Sequence, residues 1–172
     1  AARIPRSART RPAATTPPPA HSNGFVSFSS GQPTGTPYLE TIPTAATPNN
    51  YIAICHDDLN ITGTGAAVST FVTGSSPNRV FVINWNAVKF YNTASNNGDM
   101  SGQIQLFESD MHIEVHVTSS NDPTASAHSI GIENSTGTLG YAPPGRNNVT
   151  YSFTNSTPEA WAFRPNGGSL TY

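Results

Sequence analysis

Residues 103 to 117 decide the fold, and they read Gln103-Ile-Gln-Leu-Phe-Glu-Ser-Asp-Met-His-Ile-Glu-Val-His-Val117. Polar and apolar side chains alternate at a period of two on both sides of the short Glu108-Ser-Asp110 turn. Successive side chains of a β-strand point to opposite faces of a sheet, so this alternation predicts two strands, each with one dry and one wet face. The stretch therefore predicts a half-buried antiparallel hairpin.

Short apolar or alternating runs flank this hairpin at intervals of roughly ten residues, and turns rich in Gly, Pro, Asn and Ser separate them. No stretch has helical periodicity. The runs are residues 25–28, 51–55, 66–73, 79–90, 129–133, 150–153 and 160–164, with an edge segment around 38–42. This spacing predicts an all-β fold, an antiparallel β-sandwich of jelly-roll-like topology.

The length of 172 residues suits one domain with its own core. We expect an extended Pro- and Arg-rich arm over residues 1–21, the sandwich over 22–166 and a C-terminal tail over 167–172. Cys55 is the one cysteine, which excludes an intramolecular disulfide and a thiolate metal site, and we expect it to be buried. No apolar run approaches the roughly 20 residues of a membrane span, so we expect no membrane insertion.

Charged residues make up only 10% of the chain, while neutral polar residues abound. In a typical globular domain about a quarter of the residues are charged. The composition of this chain is typical of turn-rich β proteins outside the cell. The basic residues are divided unevenly. Residues 21–172 contain four basic residues and all ten acidic residues, so their net charge is −6. The arm, by contrast, contains arginines and no acidic residue.

The arm is predicted to be an extended, polyproline-like assembly element. It can dock on an acidic surface, either a neighbouring copy of the chain or nucleic acid, although four arginines are few for nucleic acid. The alternative is a processing remnant or a linker. Its candidate assembly residues are Arg3, Arg6, Arg9, Arg11, Pro17, Pro18 and Pro19.

A family resemblance runs through residues 22 to 166. Its motifs, in order, are Ser22-Asn-Gly-Phe-Val-Ser-Phe28, Pro48-Asn-Asn-Tyr-Ile-Ala53, Asp57-Asp-Leu59, Pro77-Asn-Arg-Val-Phe-Val-Ile-Asn-Trp85, Gln103-Ile-Gln-Leu-Phe-Glu108, Ile113-Glu-Val-His116, Gly131-Ile-Glu-Asn134 and Pro144-Gly-Arg-Asn147. Together they resemble a β-sandwich module of large secreted surface proteins of Bacteroidetes-type bacteria, exported by type IX secretion. The resemblance implies an adhesive or structural role, with catalysis left to other domains.

The chain departs from that family pattern before Ser22. The family has a pair of aromatic-rich strands there, whereas this chain has the arm. A missing edge strand would leave backbone donors and acceptors open, and we expect another subunit or the arm to cover them. The alternative is that the chain is one module cut from a longer protein.

Two clusters suggest metal binding. Asp57, Asp58 and Asn60 lie beside a Gly-rich turn and offer the oxygen ligands that calcium prefers, but they lack EF-hand spacing and also suit turn capping. His112, Glu114 and His116 share one face of a strand, a spacing compatible with zinc. That second pattern also follows from ordinary alternation on a wet face.

Three residues are candidates for partner contact. Arg146 lies in a polar loop, where its guanidinium either clamps a partner's carboxylate or anchors its own loop against Glu133 or Asp57; we favour the internal role. Tyr91 and Tyr141 lie at strand ends or in loops and are the better candidates for stacking on a glycan. Trp85 and Trp161 are expected in the core.

The sequence has no nucleophile elbow, phosphate-binding glycine loop or catalytic triad, so we expect no enzyme. The favoured function is an extracellular structural or adhesive subunit that self-associates, or binds a surface protein, through its arm and an open strand edge. The alternatives are a glycan- or calcium-dependent binding module of a larger secreted protein and a capsid-like shell protein. No cofactor is expected apart from calcium.

Overall fold

The computed structural model describes residues 18–29, 41–91, 98–123, 125–166 and 169–171. These residues form twelve strands and no helix, which confirms the predicted all-β class. The strands are β1 (Ala20–His21), β2 (Phe25–Ser27), β3 (Tyr51–His56), β4 (Leu59–Asn60), β5 (Ala67–Thr73), β6 (Val80–Phe90), β7 (Asp99–Phe107), β8 (Ile113–Ser120), β9 (Ser129–Glu133), β10 (Gly140–Tyr141), β11 (Glu159–Asn166) and β12 (Ser169–Thr171).

Two antiparallel sheets make up the sandwich. The smaller has the order β1-β2-β3-β9-β10. The larger has the order β12-β11-β8-β7-β6, and both β4 and β5 pair with β6 along its remaining edge. Strands β5 to β8 follow one another as neighbours, so this part of the larger sheet is a meander.

The predicted hairpin is the centre of the larger sheet. Ile104 of β7 pairs with Val115 of β8, and both side chains are fully buried. Gln103 and Gln105 point to the opposite face, where their side-chain amides form a hydrogen bond of 2.9 Å. The alternation in the sequence therefore corresponds to one face in the core and one in contact with water.

The core between the sheets is apolar and contains one large aromatic anchor. Trp85 is fully buried, and its Nε1–H donates a 3.0 Å hydrogen bond to the backbone carbonyl of His21. Cys55 is buried in the same core, as predicted. Trp161 is only half-buried and packs against the margin of this core.

Three sequence expectations differ from the structure. Residues 150–153 are not a strand; Phe153 forms one isolated bridge with Ser120, and Val149 forms another with His128. Ile42 lies outside any strand, and residues 38–40 fall outside the described ones. The sheets also extend beyond residues 22–166, because β1 and β12 pair with β2 and β11.

Candidate functional site

The Ser22-Asn-Gly-Phe25 turn fixes the chain where β3 ends. Gly24 has a φ of 71°, and its carbonyl accepts hydrogen bonds from the N–H groups of Ile54 and Cys55. The side-chain oxygen of Asn23 accepts the N–H of Leu59 at 3.2 Å, and its backbone carbonyl accepts the N–H of Asp57 at 3.4 Å. This turn therefore holds the Asp57 backbone in place from both sides.

A buried acid–histidine cluster lies at that point, made of Asp57, Asp122, Ser126 and His128. Asp57 follows β3, His128 precedes β9, and the other two belong to the connection between β8 and β9. The pairing of β3 with β9 brings these distant segments together. Among the described residues, Asp57, Asp122 and His128 are the group whose ligand atoms all lie within 4.8 Å of one another, and all three are buried.

Ser126 links the two carboxylates. Its hydroxyl oxygen lies 2.8 Å from Asp57 Oδ2 and 2.6 Å from Asp122 Oδ2, and its backbone N–H donates to that same Asp122 oxygen at 2.6 Å. A serine hydroxyl has one hydrogen and can donate to only one acceptor at a time. One of the two close contacts therefore joins two oxygen atoms with no serine hydrogen between them.

The imidazole of His128 is fully buried against this pair. Its Nδ1 lies 3.4 Å from Asp57 Oδ2, and neither ring nitrogen makes a hydrogen bond with any residue that the structure describes. The rings of Tyr151 and Phe90 cover it, with centroids 4.0 and 5.7 Å from the imidazole. Burial raises the pKa of the Tyr151 hydroxyl well above its usual value, with a smaller contribution from the nearby Cys55.

The structure separates the three residues predicted to bind calcium. Asp57 belongs to the buried cluster, whereas Asp58 is half-buried and its N–H donates to Asp57 Oδ1 at 2.7 Å. Partial burial, and then the charge of Asp57, raise the pKa of Asp58. The Asn60 side-chain oxygen accepts the N–H and the hydroxyl of Thr62, so it acts as the turn-capping group that the sequence also allowed.

The second predicted metal group is a hydrogen-bonded network in which His112 is buried and Glu114 and His116 are partly exposed. The two carboxylate oxygens of Glu114 contact His112 Nε2 at 3.3 Å and His116 Nε2 at 2.8 Å. His112 Nδ1 also contacts Asp110, and its ring stacks on Phe107. Within the described part of the chain these residues do not form a metal-ligand group of three.

Arg146 anchors its own loop, and the partner is Glu159 instead of the expected Glu133 or Asp57. Its Nε donates to Glu159 at 2.9 Å, and its Nη2 contacts the second oxygen of the same carboxylate. Its guanidinium carbon also lies 5.0 Å from the ring centroids of Tyr151 and Phe153. The Tyr151 ring packs in turn on His128, so Arg146 supports one wall of the buried cluster.

The two tyrosines proposed to bind a glycan do not share an environment. Tyr91 is exposed at the end of β6, whereas Tyr141 is half-buried and packs edge-on against Phe163. Of the arm's candidate assembly residues, only Pro18 and Pro19 are described, and the Pro19 carbonyl accepts the N–H of Ser27 at 3.2 Å. The other assembly residues, Arg3, Arg6, Arg9, Arg11 and Pro17, lie outside the described residues.

The strand β5 forms an edge of the larger sheet. It pairs with β6 along all seven residues, and β6 is its one strand partner among the described residues. Phe71 and Val72 expose 48% and 56% of their surface. Residues 59–78 contain no Asp, Glu, Lys or Arg, and β5 itself contains no Pro or Gly. It thus lacks the charges and prolines that usually protect an edge strand.

An apolar groove begins beside this edge and continues between the sheets. Its first part, of about 280 Å³, is lined by Val72 and Phe81, and its second, of about 330 Å³, by Phe28 and Ile132. Both parts share Leu106, Phe107 and Met111. The exposed side chains of Val72, Phe28 and Met111 therefore continue the apolar surface of the strand edge.

These features define the class of the protein: an antiparallel β-sandwich with an unprotected edge strand and a buried acid–histidine cluster. A family model described as NIDO related matches residues 14–172. The chain belongs to this NIDO-related family. No curated protein and no solved structure matches it. The described residues contain no helix long and apolar enough to cross a membrane.

Proposed function

We propose that this chain is a non-enzymatic structural or adhesive module that works outside the cell and self-associates by pairing its β5 with the β5 of a second copy. The observation that carries the proposal is the open β5 edge, which is exposed, uncharged and seven residues long. Adding a strand to such an edge satisfies its free backbone donors and acceptors.

A second copy suits this edge because the strand is compatible with itself. In an antiparallel pair centred on Thr70, Val68 of one copy lies opposite Val72 of the other, and Ser69 lies opposite Phe71. No charge opposes a like charge, and β-branched and aromatic cross-strand pairs stabilise sheets by about 0.2–1 kcal/mol each. The pairing also covers Val72 at the mouth of the apolar groove.

The extracellular location rests on composition. Only 10% of residues are charged, and Thr, Ser and Asn are abundant. The resemblance to secreted bacterial surface modules supports the same location. Labelling of intact source cells with a membrane-impermeant reagent tests it: labelling of this protein is expected, and protection until lysis would contradict it.

Sedimentation of the purified chain over a range of concentrations tests the pairing. We expect a reversible monomer–dimer equilibrium, because a twofold β5–β5 contact closes as a dimer. We expect Phe71→Lys to shift this equilibrium towards monomer by at least about tenfold, because an edge lysine opposes strand addition. Leu139→Lys is the matched control, since Leu139 is 70% exposed but lies in the turn before β10.

Circular dichroism establishes that each variant keeps its sheet structure. A wild-type chain that stays monomeric up to millimolar concentration would refute self-association. Equal weakening of dimerisation by Phe71→Lys and Leu139→Lys would mean that the contact does not lie at β5. Glycan binding by the monomer, lost on Tyr91→Ala, would favour the alternative of a binding module.

A further inference from the structure

We propose that Asp57, Asp122 and His128 form a binding site for one divalent transition-metal ion. The site does not include the β5 edge. A bound ion would join the connection between β8 and β9 to the end of β3. Three observations carry the proposal: the closeness of the donor atoms, two carboxyl groups that share one serine hydroxyl, and the buried ring nitrogens of His128, which make no hydrogen bond within the described residues.

The donor atoms have the spacing of a ligand set. The three groups lie within 4.8 Å of one another, and His128 Nδ1 lies 3.4 Å from Asp57 Oδ2. Metal–ligand distances of about 2.0–2.2 Å for nitrogen and oxygen place neighbouring donors about 3–3.5 Å apart. The other ligand atoms, at most 4.8 Å apart, would close to this spacing around a bound ion.

The cluster brings two buried carboxyl groups together around one hydroxyl. The Ser126 hydroxyl has a single hydrogen and can donate to Asp57 or to Asp122 but not to both at once, while the Ser126 backbone N–H donates to Asp122. Buried carboxylates repel each other unless a cation or several donors lie near them. A divalent ion between Asp57 and Asp122 removes this conflict and leaves the Ser126 hydrogen for either acid.

The state of His128 points to the same ion. Both ring nitrogens are buried, Nδ1 faces the Asp57 carboxylate at 3.4 Å, and neither makes a hydrogen bond within the described residues. Leaving buried polar atoms unsatisfied is costly, and an ion bound to one ring nitrogen removes part of that cost. A neutral imidazole is a good ligand for zinc, manganese, nickel or cobalt, whereas calcium prefers oxygen ligands alone. The donor set of two carboxylates and one imidazole therefore favours a transition metal over the calcium expected from the sequence.

The surroundings suit a structural ion. The rings of Tyr151 and Phe90 cover His128, and the Asn23–Gly24 turn fixes Asp57. Such a dry, supported shell holds ligands in place and restricts access of water. Because Asp57 is far in sequence from Asp122 and His128, the ion stabilises the β3–β9 pairing itself.

Zinc titration of the chelator-treated full chain, freed of any purification tag, tests the site. We expect one Zn²⁺ per chain by calorimetry, a melting temperature raised by several degrees, and a visible absorption band when Co²⁺ replaces Zn²⁺. Asp122→Asn keeps the size of the side chain and is expected to weaken binding by at least about tenfold, as is His128→Gln.

His116→Gln is the matched control, because His116 belongs to the hydrogen-bonded network with Glu114 and should leave the zinc affinity unchanged. If His128→Gln does not fold, the zinc affinity of Asp122→Asn and the Co²⁺ spectrum of the unmodified chain still test whether the site binds a metal ion. A folded chain that binds none of Zn²⁺, Co²⁺, Mn²⁺ or Ni²⁺ at millimolar concentration would overturn the proposal. So would a response to Ca²⁺ alone, or equal losses in His116→Gln and Asp122→Asn.

Discussion

Replacing Arg146 by alanine is expected to destabilise the sandwich more than the loss of any other surface-facing arginine in the described residues. The guanidinium makes a bidentate ion pair with Glu159 and lies over the rings of Tyr151 and Phe153. Only 20% of its side chain is exposed, so water screens these contacts poorly.

The expected magnitude follows from adding these contacts. Partly buried charge-assisted hydrogen bonds to one carboxylate contribute about 1–2 kcal/mol after solvent screening. Two cation–π contacts contribute about 0.5–1 kcal/mol each. Arg146→Ala should therefore lower the free energy of unfolding by about 2–4 kcal/mol. The free energy of unfolding of Arg146→Lys should lie between those of the parent and of Arg146→Ala, since lysine keeps the charge and loses the planar stacking.

Arg79 supplies the matched control. It makes an equally direct bidentate pair with Glu108, but 54% of its side chain is exposed and no ring contact is recorded for it among the described residues. Water screens an exposed pair strongly, so Arg79→Ala should lower the free energy of unfolding clearly less than Arg146→Ala does.

Urea denaturation of the three variants and the parent, at one protein concentration, measures the free energies by linear extrapolation. A cost for Arg146→Ala within about 0.5 kcal/mol of that for Arg79→Ala would refute the reasoning. In that case burial and ring stacking would add nothing to the stability that the Arg146–Glu159 pair contributes beyond that of the exposed Arg79–Glu108 pair.

Three further predictions concern single groups. The Arg79 guanidinium lowers the pKa of Glu108 to about 2 by hydrogen bonding, so a carboxyl NMR titration should find a midpoint near 2 that rises towards 4.5 in Arg79→Gln. Because the folded-state pKa is lowered, the pair stabilises the fold above about pH 4.5, and this contribution is lost as the pH falls towards 2; an unchanged midpoint in the variant would contradict the assignment. Cys55 is fully buried, so a thiol reagent should modify it only in denaturant, and rapid labelling of the native chain would contradict its place in the core. Gly24→Ala should cost at least about 2 kcal/mol, because its φ is 71° and a Cβ would meet the Cys55 carbonyl oxygen at 1.9 Å; unfolding at the parent's urea concentration would contradict this.

The sequence predicted the strands whose alternation is local. The β7–β8 hairpin and the β5–β6 hairpin both lie where the pattern indicated, because a period of two needs no knowledge of distant partners. Residues 150–153 also alternate, yet Tyr151 packs on His128 and the backbone makes only isolated bridges at Val149 and Phe153. A local pattern cannot reveal whether a neighbouring strand is free to pair.

The candidate metal site was only partly predictable for the same reason. Asp57 was singled out from its acidic neighbours, but Asp122 and His128 join it through the long-range pairing of β3 with β9. The signal that could have indicated Asp122 is the Asp122-Pro-Thr-Ala-Ser126 stretch, in which an acid precedes a proline and a serine follows four residues later. That pattern predicts a turn, and the ligand role depends on tertiary contacts.

The topology keeps the two proposed activities apart. Strand β5 lies at the edge of the larger sheet, whereas Asp57 and His128 belong to segments of the smaller sheet. Substitutions in separate contact networks usually have additive effects. Phe71→Lys should therefore abolish assembly with the zinc affinity unchanged, and Asp122→Asn should weaken zinc binding without changing the dimerisation constant of the folded chain. A change in both properties on either substitution would mean that the ion also governs the strand edge.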